Sequence, residues 1–182
     1  MTAKASARTR ILDAASARFY ARGLAATGID VIIADAGVAK MSLYNNFASK
    51  AELVAAYLER RHQEFLERHR RRVDALPSDA GPGARALTVF DAYLDGTDGE
   101  FRGCGLLNAA GELPTGDPGR DAVARHKAEV EQLLRDALAS RDGLAEHLSL
   151  LLEGAMVRAG LEGDADRVRR ARRLAADLLG EP

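Results

Sequence analysis

Ile33-Ala34-Asp35-Ala36-Gly37-Val38-Ala39-Lys40-Met41-Ser42-Leu43-Tyr44-Asn45-Asn46-Phe47-Ala48-Ser49-Lys50 is the stretch on which the reading of this chain turns. Ala36-Gly37-Val38 interrupts a helical pattern with a residue free to bend sharply, so the spacing predicts a helix over 28–35, a turn at 36–38 and a second helix over 39–47. With successive residues 100° apart and Leu43 at zero, Ala39 and Phe47 fall within about 40° of it and form an inner stripe. Met41 and Asn45 then point away, Ser42 and Tyr44 flank that outer face, and Lys40 sits in the first turn. A short helix offering amide, hydroxyl, phenol and ammonium groups over an apolar anchor is suited to reading base edges in a DNA major groove.

Working outward, Ile11, Ala15 and Phe19, with Leu12 beside them, make the inner stripe of a first helix. Its other faces carry Arg8, Arg10, Arg18 and Arg22, and Gly23 supplies its stop. Thr27 followed by Asp30 resembles a capping box that opens the next helix, which carries Ile29, Ile32 and Ile33. Downstream, Ser49 is a good N-cap for a long helix from Lys50 to about Val73, with Leu53, Tyr57, Phe65 and Leu66 inward. Pro77 to Gly83 reads as a loop. Further helices are expected at 84–95, 104–112, 118–140, 143–161 and 165–179, separated by joints at Gly96-Thr97-Asp98-Gly99, Pro114 to Pro118, Asp142-Gly143 and Gly163-Asp164. Period-two alternation is absent, so the fold class is all-α with about nine helices. The expected division is a head over residues 1–49 and a body over 50–182.

The 182 residues are enough to bury a real core, and 47% apolar with 29% charged residues is the balance of a folded globular chain. Apolar runs such as Leu148 to Leu152 are far too short to span a bilayer. The polar, basic MTAKASARTR start does not read as a secretory signal, so a cytoplasmic address is expected. Cys104 is the one cysteine, which excludes an intrachain disulfide and a cysteine-based zinc site within one chain. The net charge of −1 hides an asymmetry: up to Lys50, seven Lys/Arg stand against three Asp, and from Ala51 onward nineteen stand against twenty-four Asp/Glu. A basic head on a mildly acidic body fits a nucleic-acid-reading head on a body that need not touch DNA.

The run from Ile33 to Leu53 resembles the signature of the TetR (tetracycline repressor) family, IA-x-x-AGVS-x-x-x-LY-x-HF-x-SK-x-x-L. The upstream spacing of Phe19, Gly23 and Thr27 agrees, and the likeness covers about Ile11 to Tyr57. Beyond it, a Gly-Cys-x-x-x-Asn-Ala-Ala-x-Glu stretch at 103–112 is similar to some members. The resemblance implies that Lys40, Met41, Ser42 and Asn45 face bases and that Thr27, Tyr44, Asn46 and Lys50 hold phosphates. It departs from the family at Ala39 for the usual Ser, Met41 for the frequent Gly and Asn46 for the common His. Other readings stand beside these. Tyr44 fits packing between the third and fourth helices, Thr27 a simple cap, and Met41 either burial or contact with a thymine methyl. Arg8 and Arg10 fit a solvated face or a minor-groove contact, and Arg68 to Arg72 a solvent-exposed face.

For the body, the resemblance implies a small-molecule effector among the middle helices, with Phe65, Phe90, Tyr93, Leu94, Cys104, Leu107, Asn108, Glu112, His126 and Val130 as candidate contacts, each equally explicable as core. His62 and His69, seven apart, would reach a metal only with Glu112 or His126 brought close. Cys104 fits a redox sensor or a small buried apolar group. Leu144, Leu148, Leu151, Leu152 and Ala155, with Val168, Ala171, Leu174, Ala175 and Leu178, stripe the last two helices and predict a homodimer through a four-helix bundle. A twofold dimer predicts a palindromic operator on double-stranded DNA. The expected function is a transcriptional repressor released by an inducer, an activator being the alternative. No Walker loop, Gly-x-Ser-x-Gly elbow or metal-ligand spacing supports an enzyme, a cofactor or a resident metal, although Cys104, Glu112 and His126 were they adjacent would form a nucleophile set. A non-DNA interaction module is the remaining rival.

Overall fold

The computed structural model describes residues 5–96, 101–139 and 141–181, with the side chain of Asp142 left aside. The first four residues, the joint expected across Thr97 to Gly99 and the end expected at Ser140 for the seventh helix lie outside the described residues. Among the described residues there are nine helices and no strand: α1 (Ala7–Arg22), α2 (Ile29–Ala36), α3 (Lys40–Asn46), α4 (Lys50–Asp74), α5 (Pro82–Leu94), α6 (Gly105–Glu112), α7 (Pro118–Leu138), α8 (Asp142–Glu162) and α9 (Asp166–Leu179). None of them is long and apolar enough to cross a membrane.

Two compact units divide the chain, one of residues 1–61 with 105–123 and the other of residues 62–104 with 124–182. The first unit is therefore larger than the head expected to end at Ser49, because the opening turns of α4, all of α6 and the first turn and a half of α7 belong to the same compact unit as α1–α3.

In the first unit Ile11, Ala15 and Phe19 are the buried stripe of α1, as their spacing requires. Ser6 caps this helix, its Oγ accepting from the Thr9 N–H at 3.1 Å. Gly37 takes the left-handed conformation at φ 59° and ends α2 with its N–H directed to Ala34 and Ile33 carbonyls, which is the bend that lets α3 leave at an angle. The capping box expected at Thr27 and Asp30 is not formed. Gly28 is the N-cap of α2 without a side-chain bond, while the Thr27 Oγ1 donates to the Gly23 carbonyl at 2.7 Å. The N-cap position falls one residue later, on Gly28, and the Thr27 hydroxyl donates instead to a carbonyl left over at the end of α1. At α4 the box does form: Ser49 Oγ accepts from the Glu52 N–H at 3.1 Å and the Glu52 carboxylate accepts from the Ala48 N–H at 2.8 Å.

In the second unit α5 is buried on nearly every side, from Ala86 to Phe90 and again at Ala92 and Tyr93, so it is the central helix around which the others are laid. Pro82 opens it at the position where a missing N–H costs nothing. Arg172 of α9 holds Asp91 of α5 through Nε at 2.6 Å and Nη2 at 3.3 Å. Arg68 donates to the Ala92 carbonyl at 2.9 Å, and Arg72 Nε reaches Asp95 at 2.7 Å. The reading of Arg68 to Arg72 as a solvent face is thus corrected at Arg68, which is half-buried, while Arg72, one turn on, stays exposed as it pairs with Asp95. Arg72 also holds the Asp95 carboxyl below its ordinary range, chiefly by hydrogen bonding.

Of the ten residues expected to face a partner, half are interior. Leu148 and Leu152 of α8 and Val168, Ala171 and Ala175 of α9 are buried within the chain, Leu144, Leu151 and Ala155 are half-buried, and Leu174 and Leu178 remain exposed. Gly160 faces the backbone of Arg102 and Gly103 within the chain. The opposite side of α8 is the open one: Leu150, Val157 and Leu161, about 180–220° around the helix from Leu148, are exposed by 67%, 54% and 85%.

Candidate functional site

The outer face of α3 is built on two side chains that solvent does not reach, Leu43 and Phe47. Phe47 closes the helix with its N–H on the Leu43 carbonyl at 2.8 Å. Arg8 of α1 fastens this end twice, its guanidinium lying 4.1 Å from the Phe47 ring centroid and donating to the Asn46 carbonyl at 2.5 Å. Ala39, expected in the inner stripe, is exposed as the extended residue that starts α3, because it precedes the helix and does not follow its 100° rotation. Between α1 and α2, Arg18 grips Asp35 in fork geometry at 2.5 and 3.0 Å, lowering the carboxyl pKa chiefly through the hydrogen bond.

Onto this fixed helix the sequence places its outward groups as expected. Met41 is 68% exposed, Tyr44 is 43% exposed, Asn45 is exposed, and the Lys40 ammonium stands in the open 3.4 Å from Asp30. Burial of Met41 is thereby set aside. Ser42 is half-buried.

The residues expected to hold phosphates divide. Tyr44 is open to solvent, whereas Thr27, Asn46 and Lys50 have their polar atoms engaged inside the unit. Thr27 is buried and donates to Gly23, the Asn46 amide donates to the Ser42 carbonyl at 2.7 Å, and Lys50 Nζ donates to the Leu24 carbonyl at 2.6 Å. Each satisfies a carbonyl left over at a helix end or in the α1–α2 loop, a need that sequence spacing does not reveal.

Glu112, expected among effector contacts, does something else. Its two carboxylate oxygens accept from the N–H groups of Leu24 at 2.8 Å and Ala25 at 2.7 Å, a clamp across 88 residues of sequence on the loop that aims α2 and α3. Gly23 makes room for it: at φ 87° a Cβ would come within 2.5 Å of Glu112 Oε1. Leu107 is half-buried and Asn108 exposed in the same unit.

The remaining effector candidates collect in the second unit. Phe65 lies 4.7 Å from the Tyr93 ring centroid and 5.3 Å from that of His126, and Phe90 and Val130 are buried nearby in sequence terms on α5 and α7. Lys127, missed by sequence, is the hub. Its ammonium donates to Glu153 at 2.8 Å, to the Tyr93 hydroxyl at 3.0 Å and to Cys104 Sγ at 3.6 Å. From Tyr93 the polar chain continues to His126 Nε2 at 3.3 Å, then from His126 Nδ1 to His62 Nδ1 at 2.9 Å, and from His62 Nε2 to Glu129 at 3.5 Å. Burial drives the Tyr93 phenol up and, with Lys127, His62 and Arg68, pushes His126 down to about 3. His69 stacks on Phe65 rather than joining His62. Among the described residues no group of three metal-ligating side chains is assembled. Leu94 is half-buried at the end of α5.

A model of the tetR family of bacterial regulatory proteins matches residues 11–57. Over nearly the whole chain the structure is similar to SCO4454, a TetR-family transcriptional regulator from Streptomyces coelicolor, at 31% identity and a TM-score of 0.83, covering 94% of this chain and 86% of that one. Among curated proteins it is similar to the transcriptional activator FasR of Mycolicibacterium smegmatis, 34% identical over 55% of this chain, and to the transcriptional repressor KstR2 of Mycobacterium tuberculosis, 37% identical over 50%. In each the match spans 44% of the relative's own length.

Proposed function

The chain belongs to the TetR family of bacterial regulatory proteins, and from that premise we propose that it is a cytoplasmic, homodimeric transcriptional repressor that releases a palindromic operator when a small effector binds. The observation that carries the reading is the outer face of α3, where Lys40, Met41, Tyr44 and Asn45 are displayed on a helix fixed by two fully buried side chains. Asn45 is the best-placed reader of a base edge, because its amide can donate to and accept from adenine at once. Met41 offers an apolar contact to a thymine methyl, and Lys40 and Tyr44 reach toward phosphate. Thr27, Asn46 and Lys50 act mainly by holding the loop and helix ends that set the angle of α3.

The test is operator binding by fluorescence anisotropy on DNA selected from a random pool. Asn45→Ala is expected to weaken the selected site by about 1–3 kcal/mol while leaving non-specific binding nearly unchanged. Equal losses on both DNAs would remove Asn45 from base reading.

Dimerisation is assigned to the open side of α8 with the edge of α9: Leu150, Val157, Leu161, Leu174 and Leu178 are exposed, and Gly154 in the same α8 face has nothing within 4 Å of where a Cβ would stand, so a partner helix can come close. Five large apolar side chains on two adjacent helices make a patch that a solitary chain would leave in water. Sedimentation of Leu150→Glu/Leu161→Glu should give a monomer where the parent sediments as a dimer; a dimer in both would move the interface elsewhere. The effector is assigned to the second unit, where the Lys127–Tyr93–His126 chain supplies the few polar groups that orient a ligand within apolar walls.

A further inference from the structure

In the first unit a cleft of about 440 Å³ opens between the start of α4 and the turn from α6 to α7. That volume is within the ~300–1,000 Å³ of small-molecule sites. Its surface is chiefly apolar, with Ala51, Val54 and Ala55 on the α4 side and Leu113 and Pro118 opposite. Ala51 and Ala55, one turn apart and both exposed, keep the floor open because their side chains are short. The opposite wall is held in place at Gly119, where a Cβ would meet Leu113 Cδ1 at 2.6 Å.

The rim carries Lys50, Glu112 and Asp117. The Lys50 ammonium is already committed to the Leu24 carbonyl at 2.6 Å, and neighbouring Arg120 donates to the carbonyls of Ala110 and Leu113 at 3.0 and 3.1 Å. Among the described residues, the carboxylates of Glu112 and Asp117 accept from backbone N–H groups, those of Leu24, Ala25 and Gly119. Two anions over an apolar floor, with the nearby cations turned to carbonyls, complement a positive ligand head.

We propose that this cleft binds a small organic ammonium ion, its charged head on the Glu112 and Asp117 side of the rim and its apolar body against Ala51, Val54 and Ala55. The site is separate from the effector region of the second unit and does not depend on DNA binding. Because the Glu112 oxygens also hold the Leu24 and Ala25 amides, an occupant reports itself on the loop that aims α3.

The test uses the full chain, labelled with 15N, and three probes with one body: 4-phenylbutylamine, 4-phenylbutan-1-ol and 4-phenylbutanoate. The amine should shift the backbone amides of Leu24, Ala25, Ala51 and Ala55 in a saturable manner, with the alcohol about tenfold weaker and the carboxylate inactive. Ala55→Leu, which fills the floor from an exposed position, should abolish those shifts and leave the rest of the spectrum in place. Asp117→Asn, which keeps the acceptor for Gly119, should weaken the amine several-fold and leave the alcohol unchanged. Equal shifts from all three probes, or amine shifts that survive Ala55→Leu, would overturn the assignment. Neither result bears on operator binding, so the two readings fail independently.

Discussion

Lys127→Ala is expected to destabilise the second unit by about 3–5 kcal/mol, the cost of breaking a largely buried ion pair from one side. The ammonium is the donor to Glu153 at 2.8 Å, to the Tyr93 hydroxyl at 3.0 Å and to Cys104 at 3.6 Å, and it stands 5.1 Å from the Tyr93 ring centroid. Burial by itself would lower its pKa, but the facing Cys104, Tyr93 and Glu153 groups together hold it above its ordinary range. The side chains of Lys127 and Glu153 are only 18% and 27% exposed, so water cannot replace the lost partner as it would at a surface pair. Removing Lys127 therefore strands the Glu153 carboxylate and takes a donor from Tyr93. Lys127→Met separates charge from packing, since it keeps the stem; it should cost nearly as much as alanine. Lys127→Met/Glu153→Leu should recover most of the loss, because an apolar pair carries no desolvation penalty. Urea unfolding followed by circular dichroism measures all three. A cost below about 1 kcal/mol for Lys127→Met would mean that the pair behaves as a solvated one.

How far the sequence could be read follows from the range of the interactions involved. The order and ends of the helices depend on period and on caps within a few residues, so the stripe Ile11, Ala15, Phe19, the Gly37 bend and the Ser49 cap are all legible, as are Met41 and Asn45 on the outer face of α3. The polar fittings are not. Arg18 with Asp35, Arg8 with Phe47 and Glu112 with Leu24 join positions 17, 39 and 88 residues apart, and no local pattern specifies them. Thr27, Asn46 and Lys50 share one feature that spacing does not show: each polar side chain near a helix end has a leftover carbonyl beside it to which it donates. The stripes of α8 and α9 show a different limit. Period identifies an apolar face but not its partner, and here Leu148, Leu152 and Val168 face their own chain while Leu150 and Leu161 face outward.

Acidification should unfold the second unit through His126. The Tyr93 hydroxyl oxygen accepts a hydrogen bond from Lys127, so its own proton is directed to His126 Nε2; with protons assigned on this basis, His126 is neutral and donates from Nδ1 to His62. The ring is buried and faces Lys127, Tyr93, His62 and Arg68, and its pKa falls to about 3, by burial first and then by the Lys127 charge. In the unfolded chain the same group titrates near 6.5. Between those values the unfolded state binds the extra proton, so stability rises with pH across the window and is lost as pH falls. The contribution is whole above about pH 6.5 and declines by about 1.4 kcal/mol per pH unit below it, several kcal/mol by pH 4. His69, lowered by burial, adds in the same direction. His126→Gln keeps an acceptor and a donor but cannot titrate there, and it should flatten the profile relative to the parent between pH 7 and 4, even if it starts from a lower stability. Urea midpoints taken across that range, parent against variant, isolate the effect from the titration of carboxylates common to both. Parallel profiles would show that His126 carries its proton in the folded chain and that the Lys127–Tyr93–His126 order is wrong. Lys127→Met supplies the cross-check: with the facing ammonium gone, His126 should hold its proton to higher pH and the acid limb of the profile should become shallower.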